Sequence, residues 1–235
     1  MHNKEFSIEE LANGTKIFLS PTHRFGTDAM LLSHFCNIHK YENGCDIGSG
    51  CGIIPLRWYD NGHRGNAYSI EIHPEGKQLL ELSIQENKIN NIVPINQDIK
   101  QFSCDILFDV VSCNPPYFKN VIINKNKDKA IQRHQISLTT KDLCICASKL
   151  LKDKGRLCIC QRPDFLAEVI HEMMNNNIMP KQLRFVRQAP ETKPWLVLID
   201  GRKYGGTGLT VLPDLIVGDG NGGFSKELLK IYGKI

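Results

Sequence analysis

The sequence predicts an α/β domain with a mostly parallel sheet, helices on both faces and an antiparallel edge. Three observations carry this prediction. Short apolar runs alternate with helical stretches from Cys45 to Cys160, the pattern of strands joined by crossover helices. A glycine cluster, Gly48-Ser49-Gly50-Cys51-Gly52, stands where the first of those strands turns into a helix. Two late apolar runs, Leu183 to Arg187 and Trp195 to Gly201, read as strands that form the antiparallel edge.

The elements follow in order. Residues 1–25 read as a lead-in, with a hairpin turn at Asn13-Gly14 between Ile8 and the run Lys16 to Leu19. Thr27-Asp28-Ala29 opens a helix whose apolar side carries Met30, Leu31, Leu32 and Phe35, with Thr27 or Asp28 as the N-cap. A short strand ends at Cys45-Asp46-Ile47, and a helix starts near Ile53. Ala67 to Ile72 reads as a strand, Glu75 to Lys88 as a helix, Ile92 to Asn96 and Phe108 to Cys113 as further strands. A helix runs from Thr140 to Leu151, capped by Thr139 or Thr140, and a strand follows from Arg156 to Cys160. Phe165 to Met174 is helical and stops before Pro180. Gly205 to Gly223 reads as a glycine-rich surface loop with one short strand near Leu209 to Leu212, and Lys226 to Tyr232 as a closing amphipathic helix. With no repeat and no long linker, residues 1–235 are expected to form one domain.

Composition narrows the class. With 41% apolar and 23% charged residues, the chain has the makings of a packed core and not of a disordered polymer. A net charge of +4 admits a nucleic-acid partner without requiring one. No apolar run approaches the ~20 residues that a spanning helix needs, so no membrane partner is expected. The nine cysteines are odd in number, and no signal peptide is evident. They read as small buried hydrophobes in a reducing cytoplasm. Cys144 and Cys146, and Cys158 and Cys160, have Cys-x-Cys spacing, but the usual zinc spacings are missing and no metal is expected.

Two motifs carry chemistry. Asp46-Ile47-Gly48-Ser49-Gly50-Cys51-Gly52 lies at a strand-to-helix junction, where glycines let the backbone approach a ligand closely. The following helix offers unpaired N–H groups and a positive dipole end. Such a crevice at the carboxyl ends of parallel strands binds nucleotide-like ligands. Glu71, at the end of the next strand, has the ~20-residue spacing of a carboxylate that takes ribose hydroxyls. The spacing G-x-G-x-G departs from the dinucleotide pattern G-x-G-x-x-G. An acid just before the first glycine suits S-adenosylmethionine better, because Asp46 attracts its amino group.

Asn114-Pro115-Pro116-Tyr117 follows directly on the fourth strand. The prolines hold the chain extended and aim the Asn114 carboxamide and the Pro115 carbonyl together. Two acceptors facing an aromatic amine would draw its nitrogen toward a nucleophilic, tetrahedral geometry by orientation and fixed dipoles. Tyr117 offers a face on which a base can stack. After this motif the stretch 119–134, with Lys119, Lys125, Lys127 and Arg133, reads as a mobile basic loop that grips phosphates or simply stays solvated.

Together these motifs resemble the first and fourth motifs of Rossmann-like, class I amino-methyltransferases. Gly26 to Leu32 is similar to that group's upstream cofactor-side helix. Phe108 to Phe118 is similar to that group's fourth strand and its loop, and Arg133-His134, Ser137-Leu138-Thr139, the Gly155 strand and Ile231-Tyr232 resemble the bacterial tRNA adenine-N6 methyltransferases that act on a valine tRNA. The resemblance implies a donor site of Thr27, Asp46, Gly48, Ser49, Gly50, Glu71 and Asn114, with Asp98 on the donor's adenine amine and Ile72 and Ile99 flanking that ring. It implies that Asn114, Pro115, Pro116 and Tyr117 form the catalytic loop. Tyr117 or Phe118 would stack on the flipped base, and Lys119, Lys125, Lys127 and Arg133 would contact RNA. The expected activity is methyl transfer from S-adenosylmethionine to the N6 amine of an adenine in tRNA, in the cytoplasm. Methylation of a protein glutamine, of DNA or of ribosomal RNA, and a non-catalytic nucleotide-binding module, are the competing readings.

Overall fold

The computed structural model describes residues 6–115 and 138–235. The expectations for Pro116, Tyr117, Phe118, Lys119, Lys125, Lys127 and Arg133, and for the basic stretch they belong to, lie outside the described residues.

The lead-in forms the expected hairpin, β1 (Ser7–Glu10) with β2 (Lys16–Leu19). Its turn is held by the Asp60 carboxylate, which accepts from the Asn13 amide at 3.2 Å and the Thr15 amide at 3.2 Å. Helix α1 (Thr27–Phe35) follows. Its N-cap is Gly26, without a side-chain cap, where the sequence pointed to Thr27 or Asp28. The Asp28 carboxylate instead accepts from the neighbouring Ala29 amide, so its oxygen does not reach the amides two and three residues on that a cap would serve.

Then come β3 (Gly44–Ile47), α2 (Ile53–Asp60), β4 (Ala67–Glu71), α3 (Pro74–Asn87), β5 (Ile92–Asn96) and β6 (Phe108–Cys113). Helix α4 (Thr140–Leu150) opens on a capping box, Thr139 with Asp142. Strand β7 (Leu151–Gln161) begins directly on its end, five residues earlier than the sequence suggested. The early portion pairs Leu151 with Phe108 before the register shifts. Helix α5 (Leu166–Asn175), β8 (Ile178–Arg187), β9 (Leu196–Lys203), the short β10 (Thr210–Val211) and β11 (Leu215–Ile216), and α6 (Lys226–Ile231) complete the order. Pro180 lies inside β8, not between elements. It is tolerated because the β8–β9 register shifts there and β10 pairs with β8 only at Gln182 and Leu183.

Among the described residues the main sheet has the order β10-β8-β9-β7-β6-β3-β4-β5, with β11 also on β8. Strands β7, β6, β3, β4 and β5 are parallel, and β9 enters antiparallel between β7 and β8. This is the Rossmann-like arrangement with an antiparallel edge that the alternation of elements predicted. One face is covered by Leu31 and Leu32 of α1, Leu56 of α2, Leu79 and Leu80 of α3 and Leu228 of α6. The other is covered by Leu143 and Ala147 of α4 and Val169 and Met173 of α5. The four residues of β3 are all buried, so this short strand is the floor from which the glycine loop rises.

Candidate active site

The glycine loop leaves the carboxyl end of β3. Gly48, Gly50 and Gly52 have φ of 71°, 55° and 81°, the left-handed region that a side chain resists. Their surroundings differ. A Cβ built on Gly48 or Gly50 meets nothing within 4 Å, whereas one on Gly52 would lie 2.5 Å from the Leu80 side chain. The first two glycines therefore border open space and the third lets α2 pack on α3. The loop is fastened to β4: the Gly48 and Ser49 amides donate to the Ile70 carbonyl at 2.8 and 3.2 Å. Ser49 itself is buried.

Glu71 ties this region together. Its carboxylate accepts from the Gly50 amide at 2.8 Å through one oxygen and from the His73 amide at 2.8 Å through the other. Gly76, near the start of α3, permits the closeness, since a Cβ there would stand 2.6 Å from the Gly50 carbonyl oxygen and 2.9 Å from Glu71 Cγ. Each carboxylate oxygen keeps acceptor capacity beyond one amide bond, so Glu71 remains able to take hydroxyl donors.

Asp46 is the buried charge of the site, 1% exposed. Register places it between Ser69 of β4 and Ser112 of β6. The Ser112 hydroxyl donates to Asp46 Oδ1 at 2.6 Å, and Oδ2 is buried without a hydrogen-bond partner. Burial pushes the carboxyl up to about 7, with the Ser112 bond opposing and the nearby Glu71 charge adding to the rise. An orphaned carboxylate oxygen beneath a glycine-lined opening suits a ligand with a cationic amino group and ribose hydroxyls. On this chemistry the residues present fit S-adenosylmethionine.

Of the remaining expected donor residues, Ile72, Asp98 and Ile99 follow the ends of β4 and β5, whereas Thr27 stands on helix α1. Ile72 follows Glu71 and is 38% exposed. The Asn96 carboxamide donates to the carbonyls of Glu71 and Ile72 at 2.8 and 2.9 Å, joining the β4 and β5 ends. Asp98 caps the 3-10 turn Ile99–Gln101 by accepting from the Lys100 amide at 3.0 Å. Ile99 is buried in the core on the α4–α5 side. Thr27, at the start of α1, accepts from the Tyr232 hydroxyl at 3.2 Å, which links it to the end of the chain.

Asn114 and Pro115 continue β6. Because Ile47 pairs with Cys113, Gly48 and Asn114 emerge from neighbouring strands at the same level, and such strands lie ~4.8 Å apart. The glycine opening and the expected acceptor-gripping carboxamide are thus adjacent. Asn114 Oδ1 accepts from the Cys160 thiol at 3.0 Å. Sequence reasoning missed Ser112, Gly76 and Cys160. A signal existed for Ser112, since strand alternation puts it on the same face as Asn114. None existed for the other two, which depend on which elements become neighbours.

Residues 5–188 match the family described as "Methyltransferase small domain". The tRNA1(Val) (adenine(37)-N6)-methyltransferase of Aliivibrio salmonicida is 32% identical over 55% of this chain, an alignment that spans 56% of that relative's length. The protein of the same name from Aliivibrio fischeri is 24% identical over 87% of each chain. Among solved structures, a predicted O-methyltransferase from Agrobacterium tumefaciens superposes with a TM-score of 0.72 at 19% identity, covering 87% of this chain and 95% of its own. M. jannaschii TYW2 in complex with AdoMet superposes at 0.59 with 17% identity, covering 86% of this chain and 87% of that one. These two share the fold. The family match covers most of the sequence and both halves of the site, and the chain belongs to the methyltransferase small domain family.

Proposed function

We propose that this protein transfers a methyl group from S-adenosylmethionine to the exocyclic N6 amine of an adenine in tRNA, in the cytoplasm. The observation that carries the reading is the adjacency of the glycine opening on β3 and Asn114-Pro115 on β6, above a buried carboxylate with an unused oxygen. The names of the curated relatives favour tRNA over the protein, DNA and ribosomal RNA alternatives. Among the described residues no helix is long and apolar enough to cross a membrane.

In this reading Asp46 and the Gly48–Gly50 backbone hold the methionine end of the donor, Glu71 holds the ribose, Asp98 accepts from its adenine amine, and Ile72 and Ile99 flank that ring. When bound, S-adenosylmethionine supplies an electrophilic methyl carbon on a sulfonium. The Asn114 carboxamide oxygen and the Pro115 carbonyl accept the two hydrogens of the target amine and turn its lone pair out of conjugation with the ring. No charged base is required, because these are neutral dipoles fixed before the substrate arrives. Pro116 and Tyr117 complete the same sequence motif, Tyr117 or Phe118 stacks on the base, and Lys119, Lys125, Lys127 and Arg133 bind the RNA backbone.

Incubation with labelled S-adenosylmethionine and separate tRNA, DNA and protein fractions tests the reading. Label in tRNA that digests to N6-methyladenosine is expected. Label confined to protein or DNA, or binding of a dinucleotide in place of the donor, overturns it.

A further inference from the structure

We propose that Cys160 is a positioning residue for Asn114: its thiol hydrogen fixes which end of the carboxamide faces the acceptor amine. This rests on the reading of Asn114 as the amine-gripping residue and deepens it.

The fold puts the two side chains together. Strands β6 and β7 run parallel, with Ser112 beside Cys158 and Cys113 beside Ile159. The next step along both strands sets Asn114 beside Cys160. Alternation along the strands turns both toward the face that holds Asp46 and Ser112. The Cys160 Sγ lies 3.0 Å from Asn114 Oδ1. Cys160 is completely buried.

A carboxamide has two ends of opposite character. Its oxygen accepts hydrogens, and its NH2 group would confront the hydrogens of a target amine. Rotation by 180° about χ2 exchanges them with almost no change in shape, so something must choose between the two. A thiol is a donor and only a feeble acceptor. Beside the oxygen it makes an S–H···O bond; beside the NH2 it gains little. Cys160 therefore favours the orientation in which Oδ1 occupies the acceptor position. The thiol occupies one acceptor position on that oxygen, and a carboxamide oxygen has the capacity to accept a second hydrogen. Burial of the thiol strengthens the preference, because its hydrogen has no water to turn to. Cys158, on the same strand and face, is directed elsewhere: its thiol is 4.0 Å from Asp200 Oδ2. It serves as an internal control for loss of a core thiol.

The test uses the full-length protein with tRNA and labelled S-adenosylmethionine. Three variants are compared: Cys160→Ala, Cys160→Ser and Cys158→Ala. Removing one neutral hydrogen bond corresponds to a loss of about 3- to 10-fold. Cys160→Ala is expected to lower kcat by that factor with donor Kd unchanged. Cys160→Ser, which keeps a donor, is expected to recover most of kcat, and Cys158→Ala to retain the wild-type value. The side-chain NH2 resonances of Asn114, identified by their disappearance in Asn114→Ala, are expected to shift in Cys160→Ala and return toward their positions in Cys160→Ser. Simple loosening of the core would change thermal stability without this pattern. Wild-type kcat with unshifted resonances in Cys160→Ala overturns the proposal, as does an equal kcat loss in the alanine and serine variants. If Asn114→Ala itself turns over normally, the reading of Asn114 has failed; if it is inactive while Cys160→Ala is normal, only the role of Cys160 has failed.

Discussion

Asp46→Asn should make the protein more stable at neutral pH while weakening its hold on the donor. The carboxyl moves from the ordinary 3.8 to about 7, chiefly because it is buried. An acid with a raised folded-state pKa favours its neutral form in the native protein. Its penalty is absent below about pH 3.8, grows as pH rises, and reaches its full size near pH 7. One pKa unit corresponds to about 1.4 kcal/mol, so the whole rise costs about 4 kcal/mol and the portion between pH 5 and 7 about 2–3 kcal/mol. Asparagine keeps an acceptor for the Ser112 hydroxyl and removes the titration. Urea unfolding of both proteins at pH steps from 5 to 8.5 reads the difference. The stability gap should widen in favour of the variant up to pH 7 and then level off. Parallel profiles across that range would refute the argument, because they would mean that Asp46 is ionised throughout at no cost. Donor affinity of the variant should fall by about 10- to 100-fold at pH 8, the worth of a hydrogen bond to a charged group.

Donor binding to the wild type should release a proton below pH 7, since a cationic amino group favours ionised Asp46. Calorimetry in buffers of different ionisation enthalpy should show this release, and it should vanish in Asp46→Asn. Gly76→Ala would force the Gly50 carbonyl and Glu71 apart; overpacking of this kind costs about 1–3 kcal/mol, and donor affinity measured by titration should fall at least 10-fold. Asn114→Ala should abolish methyl transfer with donor affinity within about 2-fold of wild type, as measured by the same titration. RNA binding should weaken steeply between 50 and 200 mM salt, because each phosphate contact releases counterions; a flat response in a filter-binding assay would remove the basic stretch 119–134 from the substrate interface.

Much of the sheet was legible because its signals are local. Ile92–Asn96, set between Asn91 and Gln97, and the apolar run Phe108–Cys113, ended by Asn114, stand out as strands, and Thr139 with Asp142 is a cap visible three residues apart. The glycine loop and Asn114-Pro115 were legible for the same reason. What escaped depends on pairing between distant segments. Strand β7 starts at Leu151 because Phe108 is there to pair with it, although Lys152 to Lys154 has no strand character. Pro180 would have ended a strand anywhere that both edges were bonded, and here the register shift spares it. Helix α1 starts one residue past Gly26 without using the side chains that looked like caps, since its buried residues Met30, Leu31 and Leu32 decide where it lies. Likewise, that Glu71 serves the Gly50 and His73 amides follows from the meeting of a loop, a strand end and a helix start.

That meeting point has a kinetic consequence. The loop amide, the carboxylate and the glycine of α3 are already fastened to one another through bonds of 2.8 Å and close backbone contact. A ligand entering such a mouth finds its walls standing and has little chain to order. Association with a fluorescent analogue of S-adenosylhomocysteine should therefore follow a single exponential whose rate climbs linearly with concentration, with no plateau from a slow rearrangement. Cutting the Glu71 tether, as in Glu71→Ala, should introduce that plateau even where the final occupancy can be restored by adding more ligand.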